Sequence, residues 1–328
     1  MDLNFKSSDR TNTYIDVEHL TDKSPKHAVI IGAGYIGLEI ADALTLRGLS
    51  VTLIQRSDSI LKTIDPSLSQ LVADELEKHG VEVVTGVNVK RIEPKGERLL
   101  VADAKGFERV TDLVIVAVGV NPATQLAQTA GVKLRINGAI QVNRRMKTNI
   151  PDIYAAGDCV ETYHRLLGQN IYLPLGTTAH KQGRVAGENA LGGNRKFQGS
   201  LGTQVVKIFD VVAGRTGLRD DEAIAAGLQP LTVETDVLHH KAYYTGAHSL
   251  RIRVTGDRSS GRLLGAQIAG HYQGEVARRI DIFATALFND MTVNDLNDLD
   301  LSYTPPLGSP WDAVQMAAQA WTKQLSKK

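Results

Sequence analysis

The pattern of apolar and polar positions changes twice along the chain. From Ala28 to Val118, short apolar runs alternate with amphipathic stretches, which predicts a β-α-β-α-β order with a parallel sheet. Val29–Ile31 and Ser50–Ile54 are predicted strands. Asp112–Val118 reads DLVIVAV, a continuous apolar run of the kind that is buried on both faces of such a sheet.

Two later parts have different patterns. A second part begins near Thr148, with a short strand predicted over Ile153–Ala156 and a helix over Thr177–Leu191. After Gly202, strand-like runs are followed by helices, which is typical of a separate α+β domain. The other predicted elements are strands over Val81–Thr85, Val89–Ile92, Arg98–Ala102, Gln204–Phe209, Leu231–Val237, Ser249–Val254 and Leu263–Ile268, and helices over Ile36–Arg47, Pro66–His79, Glu275–Phe288 and after Pro310.

The first predicted strand leads directly into a glycine motif, Gly32-x-Gly34-x-x-Gly37, and then into a helix. Gly32 allows a tight turn, Gly34 lets the backbone approach a pyrophosphate, and Gly37 lets the helix pack closely on the strand. The free N–H groups and the dipole at the helix N-terminus favour a negatively charged group. The motif therefore predicts a phosphate site for a dinucleotide. Gly119 and Val120 directly follow the predicted strand Asp112–Val118, and they are expected to line a nicotinamide.

The end of the second strand indicates which dinucleotide binds. An acid at that position hydrogen-bonds the ribose 2′-OH and repels a 2′-phosphate. This chain has Gln55 followed by Arg56, which favours NADPH over NADH. Two alternatives stay open: Asp58 can pair with Arg56 and reduce its effect, or Gln55 can bond the 2′-OH so that both cofactors are used.

Composition excludes several classes of function. The 328 residues carry a net charge of +1 without a long basic run, so no nucleic-acid partner is expected. No apolar run is long enough to cross a membrane and the N-terminus is polar, so we expect a cytoplasmic protein without a membrane partner. With one cysteine, Cys159, there is no internal disulfide, no CxxC and no Cys/His cluster, so no metal site is predicted.

Two polar features follow in the second part. Gly157 and Asp158 end the predicted strand Ile153–Ala156, where α/β folds bind ligands, and the carboxylate can accept from a sugar or ribityl hydroxyl. The helix that starts at Leu175-Gly176-Thr177-Thr178 can point its N-terminal amides at an electron-rich ring oxygen. On spacing alone, Asp158 can equally be a turn residue.

Six blocks in order make the chain resemble the flavin-dependent pyridine nucleotide-disulfide oxidoreductases. It is most similar to the branch of coenzyme A disulfide reductase, NADH oxidase and NADH peroxidase, from about Lys26 to Gln319. The blocks are AVIIGAGYIGLE, LVIVAVGVNPAT, IPDIYAAGDC, PLGTTAHKQGRVAGENALGG, GEVARRIDIFATALFNDMTVNDL and DLSYTPPLGSPWDAVQMAA.

The resemblance implies an enzyme in which NAD(P)H reduces FAD and the flavin reduces a sulfur centre. It places the nicotinamide cofactor's pyrophosphate on the three glycines, with Tyr35 and Ile36 beside it and Glu39 near the nicotinamide. It places Asp158 on the FAD ribityl chain, and the helix start at Thr177, Thr178, Ala179 and His180 near the flavin pyrimidine edge. Tyr303, together with Tyr243 or Tyr244, fits the tyrosines that reach the active-site sulfur from the partner subunit; a phenol can donate to a thiolate or lend a proton. The alternative for Tyr303 is a packed interface aromatic.

Members of this family begin with their own GxGxxG for FAD and a redox cysteine, and this sequence has neither ahead of Ala28. Cys159 follows the ribityl-binding aspartate and has no partner thiol, so we expect a small, buried, inert residue. The chain therefore resembles the C-terminal portion of such an enzyme. By itself it is expected to bind NAD(P)H and to dimerise, with little disulfide reduction.

The expected fold is α/β in four parts: a lead-in or remnant (1–26), a Rossmann-like NAD(P)-binding domain (27–147), the C-terminal segment of an FAD-binding domain (148–200) and an α+β dimerisation domain (201–328). The expected acceptor is a small-molecule disulfide, a persulfide or an oxygen-derived species, and the expected assembly is a homodimer. Apolar residues in Ile280–Leu287 and Trp311–Trp321 either form the dimer surface or belong to the core. The alternatives are an NADH oxidase or peroxidase, a non-catalytic NAD(P)-binding dimerisation protein, or a subunit whose flavin site is completed by a separate chain.

Overall fold

The computed structural model describes residues 24–327 and divides the chain into two units. Unit 1 contains residues 24–119 together with Val205–Ala213 and Ala269–Val276. Unit 2 contains Val120–Gln204, Gly214–Ile268 and residues 277–327. The predicted division into four parts stays a prediction, and residues 1–23 of its lead-in lie outside the described residues.

Unit 1 is built on a parallel sheet with the strand order β3-β2-β1-β7. Its elements are β1 His27–Ile31, α1 Tyr35–Leu46, β2 Ser50–Ile54, α2 Pro66–Lys78, β3 Glu82–Val84 and β7 Leu113–Val116. Glycines with positive φ at 48 and 80 follow the two helices, and Pro66 occupies the first turn of α2. Buried apolar residues from β1, β2 and both helices form its core. The β-α-β-α-β prediction is confirmed, with the bounds of the second strand as predicted.

The last strand of this sheet is less buried than the sequence indicates. The prediction of a strand buried on both faces over Asp112–Val118 is wrong. β7 is four residues long and lies at the edge of the sheet, where it pairs with β1. Its residue Val116 is exposed, as are Val118 and Val120 beyond it. Apolar content alone does not distinguish an edge strand from a central one.

A small antiparallel sheet follows β3 in the sequence, with the order β4-β5-β6. Its strands are β4 Arg91–Lys95, β5 Arg98–Ala102 and β6 Glu108–Thr111. β5 is as predicted, but the strand predicted over Val89–Ile92 is displaced, because Pro94 lies inside β4 and does not end it. Pro94 is opposite Leu99 in an edge strand, where a proline without an N–H is tolerated.

Unit 2 begins with three short elements, α3 Gln125–Thr129, β8 Thr162–His164 and β9 Gln169–Ile171, followed by the longer helix α4 Gly176–Ala190. The predicted strand over Ile153–Ala156 is not formed; an isolated bridge joins Tyr154 to Lys147 instead. Asp152 before it has a φ of +61°, and the Thr148 hydroxyl bonds the Ile153 carbonyl, so the backbone turns where the sequence pattern indicates a strand.

A five-stranded sheet has the order β10-β11-β14-β13-β12. The elements in this part are β10 Gln204–Ile208, β11 Val211–Gly217, α5 Asp220–Ala225, β12 Pro230–Leu238, β13 Ser249–Asp257, β14 Leu263–His271, α6 Val276–Phe288 and α7 Ala313–Leu325. Four of these strands were predicted. β11 was not, because VVAGRTG contains two glycines and an arginine and does not alternate.

The two C-terminal helices supply part of the core of unit 2. Trp321 on α7 is buried and its indole donates to the Leu231 carbonyl at 2.7 Å. A Cβ on Gly256 would fall 2.6 Å from the Trp321 ring, so this glycine makes room for the indole. Ile280 and Phe283 on α6 are also buried. The apolar residues of these helices therefore mainly form core, which is the second of the two alternatives given for them.

Candidate functional site

The loop between β1 and α1 is shaped by two of its three glycines. Gly32 has a φ of +109°, and a Cβ there would collide with the Ala117 carbonyl oxygen beyond β7. A Cβ on Gly37 would collide with the Gly32 carbonyl oxygen. Only glycine fits at these two positions, because backbone atoms occupy the space that a side chain would need.

Gly34 is different, because no atom lies within 4 Å of the position of its Cβ. It is the N-cap of α1, with an extended backbone (φ −86°, ψ −174°) and no side-chain cap. The first N–H groups of α1 therefore face open space beside a residue without a side chain. This geometry fits the approach of a pyrophosphate, because no side chain occupies the space in front of these N–H groups.

Gln55, at the end of β2, braces the glycine loop. Its amide oxygen accepts from the Ala33 N–H at 3.4 Å, and its amide nitrogen donates to the Ser57 hydroxyl at 2.9 Å. Arg56 beside it is exposed. Within residues 24–327 it forms no ion pair, so the alternative in which Asp58 pairs with Arg56 is not seen in the structure. The guanidinium is therefore available to an anion.

Most of the other residues predicted for the nicotinamide cofactor belong to unit 1, whereas Val120 begins unit 2. Tyr35 and Ile36 form the first turn of α1, and the Tyr35 hydroxyl accepts from Thr63 at 3.1 Å. Glu39 is exposed on the same helix, and Gly119 is exposed after β7. Ala117, which contacts the glycine loop, thus brings the end of β7 beside the N-terminus of α1.

In unit 2, Gly157 is held by a residue that the sequence did not single out. Gln182 on α4 is fully buried; its amide oxygen accepts from the Gly157 N–H and its amide nitrogen donates to the Thr162 hydroxyl, both at 3.0 Å. Gly157 has a φ of +94°. This arrangement orients the turn so that Asp158 is exposed, without a hydrogen bond to any described residue.

The start of α4, predicted to face a flavin ring, is partly exposed, although the Thr178 N–H already donates to the Leu175 carbonyl at 2.9 Å. Its N-cap, Leu175, provides no side-chain cap, and Gly176 and Thr177 are exposed. Thr178 is buried and its hydroxyl donates to Ser200 at 3.2 Å, so this side chain holds the helix in place. The Ala179 N–H bonds the Leu175 carbonyl inside the turn.

Tyr172 is a second residue that the sequence did not indicate. Its hydroxyl oxygen is buried without a hydrogen-bond partner among the described residues. Burial, together with the negative charge of Asp158, raises the pKa of this phenol. A buried hydroxyl without a partner beside an exposed carboxylate is a group suited to a polar ligand.

Cys159 has neither the burial predicted for it nor a reactive setting. It is half-buried and contacts the Ala156 carbonyl at 3.5 Å. Burial raises the pKa of its thiol, which keeps the sulfur protonated at neutral pH.

The three candidate tyrosines lie on the surface of unit 2. Tyr243 and Tyr244 are in the β12–β13 connection with ring centroids 5.0 Å apart, and Tyr243 is 75% exposed. Tyr303 is 44% exposed. The described part of one chain shows no hydrogen bond or ring contact between Tyr303 and the other two.

The connection that carries Tyr243 and Tyr244 is held in place by a residue of α6. Arg279 on α6 donates to the His239 carbonyl at 3.2 Å and to Asp312, the N-cap of α7, at 2.8 Å. The His239 ring nitrogen Nδ1 accepts from the His248 N–H at 3.1 Å. Arg279 is buried. These contacts join residues far apart in sequence, so no local pattern reveals them.

One group of possible metal ligands is present although the sequence predicted none. Oxygen and nitrogen atoms of Glu75, His79 and Asp210 lie within 4.8 Å of one another. Glu75 already accepts from the Asp210 N–H and from Lys78, both at 3.1 Å. These bonds account for the cluster as the anchor of the turn at Asp210. The prediction of no metal site stays a prediction.

Two models of one protein family match successive parts of the chain. The chain matches the family model for pyridine nucleotide-disulphide oxidoreductases over residues 5–183, and the model for their dimerisation domain over residues 203–313. The predicted family and fold class are confirmed. None of the helices described is long and apolar enough to cross a membrane.

Relatives at 32 to 37% identity carry names that match the predicted activity. The NAD(P)H sulfur oxidoreductase (CoA-dependent) of Pyrococcus furiosus is 36% identical over 92% of this chain and 67% of its own length. The coenzyme A disulfide reductase of Staphylococcus haemolyticus is 32% identical over 95% and 68%. The solved NAD-dependent persulfide reductase from A. fulgidus is 37% identical with a TM-score of 0.91, covering 95% of this chain and 57% of that one. The chain thus spans about two thirds or less of the length of these proteins.

Proposed function

Because this chain belongs to the pyridine nucleotide-disulphide oxidoreductase family, we propose that it functions in a flavin-dependent NAD(P)H:disulfide oxidoreductase, most like coenzyme A disulfide reductase. The observation that carries the proposal is the loop in which Gly32 and Gly37 are fixed by backbone contacts while Gly34 faces open space. The proposed acceptors are low-molecular-weight disulfides or persulfides, in line with the names of the relatives.

The nicotinamide cofactor is held by unit 1 in this proposal. The free amides at the start of α1 bind the pyrophosphate, and Gln55 keeps the loop in shape through its bond to the Ala33 N–H. Arg56 supplies a positive charge to a 2′-phosphate, and no acid stands at the end of β2 to repel it. The cofactor is therefore NADPH in preference to NADH.

The FAD contacts present in this chain lie in unit 2. Asp158 accepts from ribityl hydroxyls, the start of α4 at Thr177 donates to the electron-rich edge of the ring, and Thr178 and Ala179 shape that turn. The residues fit this role, because Asp158 is exposed and, among residues 24–327, neither its carboxylate nor the buried Tyr172 hydroxyl has a hydrogen-bond partner. FAD, when bound, accepts a hydride from NAD(P)H and passes two electrons to the sulfur acceptor.

The tyrosines are proposed to act on the sulfur acceptor across a homodimer. Tyr303 and one of Tyr243 and Tyr244 would serve a site on the partner subunit, donating a hydrogen bond to a thiolate and returning a proton. Support comes from the match to the dimerisation domain and from their exposure. Nearby Trp311 and Leu307 are exposed apolar side chains that such a dimer would cover.

One observation favours a second candidate function. The sequence has a single cysteine, and burial raises the pKa of the Cys159 thiol, so this residue is unsuited to sulfur redox chemistry. A non-catalytic NAD(P)-binding dimerisation protein needs no redox thiol.

The visible absorption spectrum distinguishes the two functions. The purified chain is incubated with FAD, desalted, and then mixed with NADPH or NADH without oxygen. The oxidoreductase proposal predicts a retained flavin band that bleaches with NADPH faster than with NADH. A chain that binds NADPH but retains no flavin would contradict an oxidoreductase that works from this chain alone, and would support the binding protein. Retained flavin permits a screen of coenzyme A disulfide, persulfide and oxygen as acceptors.

A further inference from the structure

An open cavity of about 450 Å³ lies in unit 2, and none of the residues that line it is among the site residues assigned above. This volume falls in the range of small-molecule sites. Its lining includes Arg135 and Asn143–Arg144, together with Tyr163, Gln169 and Asn170 of the β8–β9 hairpin. The cavity is therefore bordered by two cations and several amides.

Arg144 is held so that its guanidinium has a fixed orientation. Its Nε donates to the Phe197 carbonyl at 2.9 Å, and its Cζ lies 4.5 Å from the centroid of the Tyr163 ring. The two terminal nitrogens of Arg144 have no hydrogen-bond partner within residues 24–327. A guanidinium fixed at one edge and stacked on a ring leaves its other edge free for two parallel bonds to an oxyanion.

The neighbouring groups add donors and positive charge. Asn143 uses its amide oxygen to accept from the Arg145 and Lys147 N–H groups at 2.8 and 3.2 Å, which leaves its amide nitrogen as a donor. Arg135 is exposed, with its Nε 3.8 Å from the buried carboxylate of Glu161. That carboxylate also accepts from the Ile136 N–H and from Asn170 at 3.3 and 3.1 Å, so it only partly neutralises Arg135.

The sequence around the cavity is also rich in positively charged residues. Residues 131–148 contain five cations, Lys133, Arg135, Arg144, Arg145 and Lys147, and no acid. This contrasts with a whole chain of net charge +1. A local excess of this kind raises the concentration of anions at the surface.

We propose that this cavity binds a small phosphorylated anion, with Arg144 and Arg135 as its phosphate ligands. The volume exceeds that needed by free phosphate and suits a ligand of the size of a mononucleotide. The residues that line this cavity differ from those of the proposed pyrophosphate site at Gly34.

Isothermal titration calorimetry of the full chain with inorganic pyrophosphate and with adenosine 5′-monophosphate tests the site. The variant is Arg144→Gln, and the matched control is Arg145→Gln, which removes the same charge one residue away but does not line the cavity. We expect Arg144→Gln to weaken binding at least 10-fold and Arg145→Gln less than 2-fold. Tighter binding of the nucleotide than of pyrophosphate would identify the ligand as a nucleotide; the reverse would identify a smaller phosphate.

A second variant covers the case in which loss of the Arg144 bond to Phe197 impairs folding. Arg135→Gln removes an exposed side chain that holds no backbone group, and we expect it to weaken binding about 3-fold to 10-fold with an unchanged circular dichroism spectrum. Equal effects of Arg144→Gln and Arg145→Gln would overturn the proposal, since they indicate general charge attraction. So would binding that none of the three variants changes, since it would lie at the glycine loop.

Discussion

Three glycines in the loop after β1 share one motif but have different surroundings. Gly32 and Gly37 lie against backbone oxygens, whereas Gly34 has open space where a Cβ would be. The motif could be read from the sequence because all its residues are local. The hydrogen bond from the Ala33 N–H to Gln55 could not be predicted, because it depends on where β2 ends relative to β1.

The two kinds of glycine should respond differently to alanine. Gly37→Ala forces a Cβ into the Gly32 carbonyl, so we expect a loss of about 1 to 3 kcal/mol in the free energy of unfolding. Gly34→Ala adds a methyl group to open space in an extended backbone, so stability should change little while NADPH binding weakens at least 10-fold. Urea unfolding and NADPH titration of both variants measure this. A strongly destabilised Gly34→Ala variant would show that the open space is not a ligand site.

Arg56 is the residue on which cofactor choice should depend. Arg56→Gln removes the charge proposed to bind the 2′-phosphate, and we expect the ratio of NADPH to NADH affinity to fall about 10-fold, mainly through weaker NADPH binding. Arg47→Gln removes an exposed arginine at the other end of α1 and serves as control. Titration of both coenzymes into both variants gives the ratio. An unchanged ratio in Arg56→Gln would exclude Arg56 as the discriminating residue.

Among the secondary-structure elements, α6 and α7 are joined by an ion pair with little exposure. The side chains of Arg279 and Asp312 are 5% and 15% exposed, whereas that of Arg278, next in sequence, is 81% exposed. Asp312 also caps α7 by accepting from the Val314 N–H at 2.9 Å. The same arginine holds the connection that carries Tyr243 and Tyr244.

Removing one partner of this pair leaves the other charge buried and unpaired, which typically costs about 3 to 5 kcal/mol. We therefore expect Arg279→Met to lower the free energy of unfolding by about 3 kcal/mol and to increase proteolysis between β12 and β13. Arg278→Met, which loses an exposed pair, should change stability by less than about 0.5 kcal/mol. Equal urea midpoints for the two variants would refute the role given to Arg279.

The elements that were predicted correctly depend on residues close in sequence, whereas those that were missed depend on distant parts of the chain. β2 and α2 are set by their own apolar period, a terminal glycine and Pro66. The exposure of β7 and the position of Pro94 inside β4 depend on which strand lies beside each of them. Gln182 and Tyr172 were missed for the same reason, since their partners and neighbours come from other parts of the chain.

At the scale of the whole molecule, stability should depend on pH through a buried histidine. His164 is 4% exposed, and its Nδ1 accepts from the Leu167 N–H at 3.3 Å. Burial lowers the pKa of His164 from 6.5 to about 4. Between these values the unfolded chain binds a proton that the folded chain does not, so stability falls as the pH falls from about 7 to 4.

This difference corresponds to about 3 kcal/mol lost over that interval, with no further loss from His164 below it. In His164→Gln we expect a shallower decline of the free energy of unfolding between pH 7 and 4. Part of the decline should remain, because burial also lowers the pKa of His27 and His239. Urea unfolding at steps of half a pH unit gives both curves. Parallel curves would contradict the assignment to His164.

The proposed function rests on NADPH binding at the start of α1, and a crystal structure of the chain soaked with NADPH tests this most directly. The account predicts pyrophosphate density within hydrogen-bond distance of the first amides of α1, over Gly34, with the 2′-phosphate against Arg56. Density for the pyrophosphate at another place, or a 2′-phosphate turned away from Arg56, would contradict it.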